Sequence, residues 1–429
     1  MTVSHRLQEH TGSYYAATAN KKTDYTPLRE DISVDVCIVG GGFTGVATAL
    51  TLTERGYSVA LLEANRVGWG ASGRNGGQLI NGVGGLERIR KEHGDIVEDL
   101  VWGMRWRGNE IIRERVERYG IQCDLKDGYA EVARKPRQVK YILEAAEERE
   151  ARNWPHRYEV WNLEETRAKL GTDRFHGAFV CYRDGHVHPL NLCIGEARAA
   201  VEQGAKIFEH SPVTGIERGA RPVVRCQKGS VTANAVVIGG NAYGRLEPKH
   251  LSNLVFPAGS YIIATEPLSP ELAASINAND VAVCDLNEVV DYYRLSADKR
   301  LLYGGACNYS GRDPASIEAY IRPRMERIYP QLKNVGIDYE WGGKIGIVLN
   351  RIPAVGRIDG DIYYAQGYSG HGVAPTHLMG EILADAVSGT MERFDLFANI
   401  KHFRIPGSQW LGNQIIALGM LYYKMKDRL

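Results

Sequence analysis

The sequence predicts an α/β protein of two intertwined domains, and three observations carry that reading. A buried run, Val34-Asp-Val-Cys-Ile-Val39, leads through Gly40, Gly42 and Gly45 into a helix. An acid, Glu63, closes the next apolar run, Tyr57–Glu63. The chain has 429 residues, more than one compact core of ~100–200 residues accommodates.

Residues 1–33 are polar and aromatic without a clear period, and read as an extended arm over the surface. Val34–Val39 is apolar at nearly every position, as a strand buried on both faces requires. Small residues in Val46-Ala-Thr-Ala-Leu50 let the following helix pack closely, and Gly56 ends it. With the strand ending at Glu63 this is the opening of a right-handed βαβ unit. Residues 86–120 are charge-rich and helical in period. Gly128–Arg134 reads as a strand, and Gln138–Ala151 and 190–203 as helices. Short strands run through 205–239 and end in the buried Ala235-Val-Val-Ile-Gly-Gly240. Strands resume from 255 to 307, Val373–Ser388 is helical, and 409–424 is a last amphipathic helix. Its apolar face (Trp410, Leu411, Ile415, Leu418, Tyr422), followed by Lys424, Lys426 and Arg428, is expected to pack on its own protein. Docking on a partner or a membrane surface is the alternative.

Composition excludes several classes. Formal net charge is +1, which provides no steering toward nucleic acid or an anionic membrane. The seven cysteines are odd in number and form no Cys-x-x-Cys, which argues against a disulfide framework and a zinc ribbon. No metal trio is apparent. No apolar h-region opens the chain and no run of ~18 apolar residues occurs, so the expectation is a cytoplasmic protein without a transmembrane segment.

Gly40-x-Gly42-x-x-Gly45 between strand and helix is the dinucleotide fingerprint. The first glycine makes the turn, the second admits the pyrophosphate, and the third lets helix and strand touch. The helix N-terminus offers N–H groups to the phosphates. Glu63 stands where a carboxylate accepts both ribose hydroxyls, and it would repel the 2′-phosphate of NADP. A second glycine-rich stretch, Val67-Gly-Trp-Gly-Ala-Ser-Gly-Arg-Asn-Gly-Gly-Gln78, is not needed by an NAD enzyme. A wide, rigid flavin lying against backbone does need one, so the cofactor reading is FAD. The contacts expected from the two stretches are Gly40, Gly42, Phe43, Thr44, Gly45, Glu63, Ala64, Ala71, Ser72, Asn75, Gly76, Gly77 and Gln78.

These residues resemble the D-amino-acid-oxidase family of flavoproteins. The segment Trp341…Pro353-x-x-Gly356, followed by Tyr364-Ala-Gln-Gly-Tyr-Ser-Gly-His-Gly-Val-Ala-Pro375, is similar to that family's second flavin signature. The arm Gly12-Ser-Tyr-Tyr-Ala-Ala-Thr-Ala-Asn20 looks most like the γ-glutamylputrescine-oxidase branch. The resemblance implies a Rossmann-type FAD-binding domain (34–90, 160–250 and 345–429) and a discontinuous mixed-sheet substrate domain (91–159 and 251–344). It also implies adenine contact at Val213, a pyrophosphate path at Gly240, and flavin contacts at Gly370, His371, Gly372 and Val373. The family's covalent attachment position falls near Arg74 and Asn75, and no Cys follows Cys307, so a noncovalent FAD is expected.

On the substrate side, amino-acid-oxidising relatives place an Arg eight residues before the Pro matching Pro353, to grip an α-carboxylate. Ile345 stands there, between Lys344 and Gly346. This favours a primary amine over an amino acid, with O2 or another acceptor taking the electrons. Lys344, as a point charge, keeps an amino-acid oxidase or dehydrogenase open. A flavin-holding subunit of a larger complex is the third reading. His186, Tyr293, Arg294, Lys344 and His371 are the candidate catalytic residues.

Overall fold

The computed structural model describes residues 7–405 and 409–426. Residues 1–6 of the arm, the side chains of Tyr422, Lys424 and Lys426, and Arg428 lie outside the described part.

Two sheets organise the chain. In the first, Asp31–Val39 lies between Ser230–Ile238 and Val59–Leu62, parallel to both. The path runs Ala354–Ile358, Ile362–Gln366, Ser230–Ile238, Asp31–Val39, Val59–Leu62, Lys206–Phe208, and Gly215–Glu217 and Val223–Arg225 hook onto Ser230–Ile238. Helices Phe43–Glu54, Pro189–Glu202 and Val373–Val387 bury one face of it. The other face closes over Val224, Val231, Ile358 and Ile362. Burial on both sides is why the central strands read as unbroken apolar runs. Ser230–Ile238, Asp31–Val39, Val59–Leu62 and Ile362–Gln366 are mutually parallel, so their carboxyl ends share one edge. That edge carries Gly239-Gly240, Gly40–Gly42, Glu63 and Gly367–Gly372. In open α/β sheets ligands bind there.

The second sheet runs Ile337–Ile347, Phe256–Thr265, Leu301–Asn308, Asp291–Leu295, Ala282–Asp285, Lys126–Val132, Ala178–His186, Gln78–Leu79, with Tyr158–Trp161 on Ala178–His186. One face buries Tyr261, Ile263, Tyr293 and Tyr303 against the helix Ile317–Ile328. The other face presents Ile262, Leu302 and Trp341 to Tyr14 and Tyr15 of the arm and to Leu190.

The structure departs from the sequence reading in several places. Ala178–His186, expected with the nucleotide-binding segments, belongs to the second sheet. Helix Glu98–Arg118, expected with the substrate segments, buries Val101, Met104 and Ile112 in the core of the first sheet. Helices Leu163–Leu170, Pro270–Ile276 and Ile317–Ile328 were not anticipated; Pro323 inside the last breaks its helical signature. The arm is anchored rather than laid over the surface. Tyr15 is 0% exposed, and buried Glu209 accepts from the amides of Tyr25 and Val67.

The last helix, Gln409–Lys426, reverses its expected orientation. Gly412 sits against Phe256, and Asn413 donates to the carbonyls of Pro257 and Tyr309. Trp410 and Leu418 are 65% and 70% exposed, and Leu411 and Ile415 are exposed as well. A small residue and an amide that satisfies one strand and one turn carbonyl, not the apolar stripe, make the docking face.

Candidate active site

Gly40 leaves the central strand with φ +111°, and its amide donates to the Leu62 carbonyl at 2.8 Å. A Cβ on Gly45 would overlap the Gly40 carbonyl, so helix and strand touch only because it is absent. Glu63 is half-buried beside this turn. Its Oε2 accepts from the Gly41 amide at 2.7 Å and its Oε1 from the Asn65 amide at 2.8 Å. Burial pushes its pKa up, and those two amides pull the other way. Each oxygen keeps a lone pair for a further donor. Ala64 adjoins it through its own backbone amide. Ser211, whose amide donates to the Glu63 carbonyl, leads to Val213. Val213 lies in the irregular segment before Gly215–Glu217, not on a strand as expected.

The second glycine loop is tied to the first. Gly68 N donates to Gly41 O, and Ser72 Oγ accepts from Phe43 N at 2.9 Å, at the first turn of the fingerprint helix. Asn75 staples the loop internally. Its amide donates to the Ala71 and Ser72 carbonyls, and its oxygen accepts from Gly77 N. Gln78 donates to the Val283 carbonyl of the second sheet. At Gly76 a Cβ would press on the ring of Tyr292, and at Gly77 it would meet the Val187 carbonyl.

The late glycine loop closes the third side. Gly370 (φ +93°) approaches Ile345, and Thr44 Oγ1 and Tyr368 Oη lie 2.9 Å apart, joining this loop to the fingerprint helix. Gly372 caps Val373–Val387 without a side-chain bond, leaving that helix's first N–H groups pointing from the same edge. Gly240 precedes the short turn Asn241–Tyr243, and Asn241 Oδ1 accepts from Gly367 N. Beneath, Glu196 is fully buried between His377 Nε2 at 2.9 Å and Arg115 at 3.1 Å, locking three helices together. The His377 ring and the Arg115 guanidinium hold its carboxyl below the usual range despite burial.

The catalytic candidates separate by strand parity. Tyr292 and Arg294 face the glycine loop; Tyr293 does not. Tyr293 stacks on Tyr303 and bonds Tyr329 Oη at 2.6 Å inside the second core, which corrects its assignment. Arg294 is buried and donates to the Gly76 carbonyl at 2.8 Å and to Tyr15 Oη at 3.1 Å, so it positions the loop and ties it to the arm. Ile345 faces the late glycine loop. Lys344 points to the opposite face, paired with Asp313 at 2.5 Å, and Tyr261 donates to the same carboxylate. It is not placed to meet a ligand beside Ile345. His186 is buried with Nε2 donating to the Asp280 carbonyl. His371 Nε2 donates to the Ile80 carbonyl, and burial lowers its pKa. That nitrogen is committed as a donor, so it does not serve as a base.

In Asp291-Tyr-Tyr-Arg294 the sequence points to Tyr293 where the structure brings Tyr292 to the loop, and it does not single out Trp341, Ser260 or Arg74 as substrate-side residues. Arg74 is half-buried, 4.4 Å from the Trp69 ring, and donates to the Trp69 and Gly342 carbonyls. Trp341 Nε1 donates to the Arg74 carbonyl. Ser260 Oγ and Tyr292 Oη lie 3.3 Å apart on the same face. Among the described residues no group of His, Cys, Asp and Glu is arranged to hold a metal ion. No described helix is long and apolar enough to cross a membrane.

Asp184, in the stretch before His186, is buried between the Asn81 and Asn109 amides, and burial pushes its pKa up to about 7. An unfolded aspartate ionises near pH ~4. Between those values the folded chain holds a proton the unfolded chain has released, so stability falls as pH rises through that window. Asp184→Asn, neutral at every pH, should flatten this part of the Tm–pH profile. A profile parallel to wild type would show that Asp184 is ionised when folded.

A family model described as FAD dependent oxidoreductase matches residues 35–386. The chain is 45% identical to γ-glutamylputrescine oxidoreductase of Escherichia coli strain K12, over 99% of this chain and 100% of that protein. It is 40% identical to a probable oxidoreductase of Haemophilus influenzae, over 98% of each. Among solved structures, glycine oxidase from Geobacillus kaustophilus superposes with a TM-score of 0.71 at 23% identity, over 87% of this chain and 100% of that one. L-proline dehydrogenase from P. horikoshii gives 0.69 at 23% identity, over 84% and 94%. The family match spans the strand, glycine turns and acid described above and most of both sheets: the chain belongs to the D-amino-acid-oxidase family of FAD-dependent oxidoreductases.

Proposed function

We propose that this enzyme oxidises a primary amine whose carboxylate lies far from the reacting carbon, γ-glutamylputrescine or a related γ-glutamylated polyamine. The observation that carries the reading is the pair Ile345 and Lys344. The residue facing the late glycine loop is apolar, and the neighbouring cation is turned away and neutralised by Asp313. A relative named γ-glutamylputrescine oxidoreductase, at 45% identity along the full chain, supports the same substrate.

The residues present fit FAD. Glu63 offers two free lone pairs to the ribose. Phe43, Thr44 and Ser72 would line the pyrophosphate, with Gly240 beside its path. Ala71, Gly76, Gly77, Gly370 and Gly372 would bring backbone against the flavin, and Val213, two residues after the Ser211 that bonds the Glu63 carbonyl, would meet the adenine. When bound, FAD supplies the two-electron acceptor for C–N oxidation. The chain's own residues do the rest. Tyr292, Trp341 and Ile345 form a largely apolar wall that favours the neutral amine over its ammonium. Arg294 and Tyr15 hold the Gly76 loop in place. The imine product hydrolyses in water to aldehyde and ammonia, and O2 is the proposed final acceptor, giving H2O2. The seven cysteines, free in the structure, suit a cytoplasmic setting.

One preparation tests cofactor and reaction together. The purified protein should be yellow, acid should release intact FAD, and the protein alone should make H2O2 with γ-glutamylputrescine. Flavin remaining on the acid precipitate would refute noncovalent binding. Amine-dependent bleaching without H2O2 would replace O2 with another acceptor.

A second reading has one observation behind it. Arg74 lies on the loop side of the strand, half-buried, with no carboxylate partner among the described residues. An amino-acid substrate would bind there rather than at Lys344.

A further inference from the structure

Beneath the last helix lies a cavity of about 270 Å³, lined by Cys307, Tyr309, Tyr320, Ala417 and Met420 among others. A β-bulge connects it to the flavin-facing loop. The pairing of Phe256–Thr265 with Leu301–Asn308 slips between Gly259 and Tyr261, and Ala306 is forced to φ +49°. Bulges re-aim side chains, and this one brings the Cys307 thiol to the Ser260 hydroxyl. Ser260 meets Tyr292, and Tyr292 covers Gly76. Three side chains, Cys307, Ser260 and Tyr292, thus lead from the cavity to the glycine loop.

One guanidinium stands at its rim. Arg351 Nη2 lies 3.4 Å from Tyr309 Oη and 3.4 Å from Met420 Sδ, both on residues that line the cavity. Its backbone is fixed in the left-handed region (φ +60°), with the amide donating to Val348 O. Among the described residues it has no carboxylate partner, unlike Arg107, Arg115, Arg300 or Arg393. The Tyr309 hydroxyl is pushed up by burial first, then by Cys307 and Glu288, against the pull of Arg351.

We infer that this cavity is the tail subsite, where Arg351 binds the distal carboxylate of the amine and the last helix roofs it through Ala417 and Met420. The inference rests on the amine reading and extends it. It explains how a carboxylate can be required although Ile345 rejects one at the reacting end. A γ-glutamyl tail carries an α-carboxylate at its far end, which Arg351 would pair. An amine with a neutral tail lacks that partner and should bind less well.

The test compares γ-glutamylputrescine with N-acetylputrescine, which lacks the carboxylate, by anaerobic flavin reduction. Wild type should show a much lower KM for the first. Arg351→Met should narrow the KM ratio of the two amines by about 10-fold or more, with Arg351→Lys between. Ala417→Trp fills the cavity from the roof and should also raise KM for the γ-glutamyl amine more than for the acetylated one. FAD absorbance per chain confirms that each variant is folded. A ratio unchanged in both Arg351→Met and Ala417→Trp overturns the subsite while leaving the amine reading intact. Wild-type flavin reduced by neither amine overturns the amine reading first, and the subsite with it.

Discussion

Glu63→Ala should purify mostly as apoprotein. Its carboxylate is half-buried and held by two backbone amides, so it is pre-oriented before any ligand arrives. The remaining lone pairs are expected to accept two ribose hydroxyls. A hydrogen bond to a charged group is worth ~1.5–3 kcal/mol, so losing two weakens FAD by ~10²-fold or more. Glu63→Gln keeps one acceptor oxygen and should fall between. The measurement is the flavin-to-protein absorbance ratio, followed by FAD titration of stripped protein through flavin fluorescence. Because Gly41 and Asn65 also lose their acceptor, the melting temperature of the stripped forms separates loop damage from lost ribose contact. Wild-type occupancy in Glu63→Ala would remove the assignment.

Much of the first sheet was legible in the sequence because its strands are buried on both faces and its turns demand glycine. Val34–Val39, Gly40, Gly45 and Glu63 each have one physical solution, and the parallel strands bring them to one edge. The substrate side was less legible because its chemistry depends on which face a side chain takes. In Asp291-Tyr-Tyr-Arg294 both tyrosines looked equivalent, but period-two alternation sends Tyr293 into the core and Tyr292 onto Gly76. The same rule separates Ile345 from Lys344, which alternate along the strand Ile337–Ile347. Arg74 was hidden inside the glycine motif that explains its neighbours. Arg351 and the cavity under the last helix depend on a bulge and on long-range docking, neither of which has a local signature. The last helix misled for a related reason: its apolar stripe is conspicuous, but Gly412 and Asn413 make the contact.

Amines of the γ-glutamylputrescine type should reduce the flavin at least ~100-fold faster than free D- or L-amino acids. An α-amino acid brings its carboxylate within one bond of the reacting carbon, to the wall formed by Ile345, Tyr292 and Trp341. A carboxylate buried there without a partner costs several kcal/mol, or ~10³-fold or more in affinity. Lys344 cannot repair this from the far face of the strand, where Asp313 already neutralises it. Ile345→Arg should narrow the gap by restoring a fork at that position, provided it adopts a rotamer past Gly370, whose Cβ position lies 3.3 Å from the present side chain. Stopped-flow reduction over a panel of both classes, in wild type and Ile345→Arg, measures it. Faster reduction of the wild type by a D-amino acid than by any amine would reverse the assignment. Arg74 would then be the carboxylate partner, and Arg74→Met should abolish that activity, because its Nη2 is the guanidinium nitrogen left over once Nε and Nη1 are committed to the Trp69 and Gly342 carbonyls.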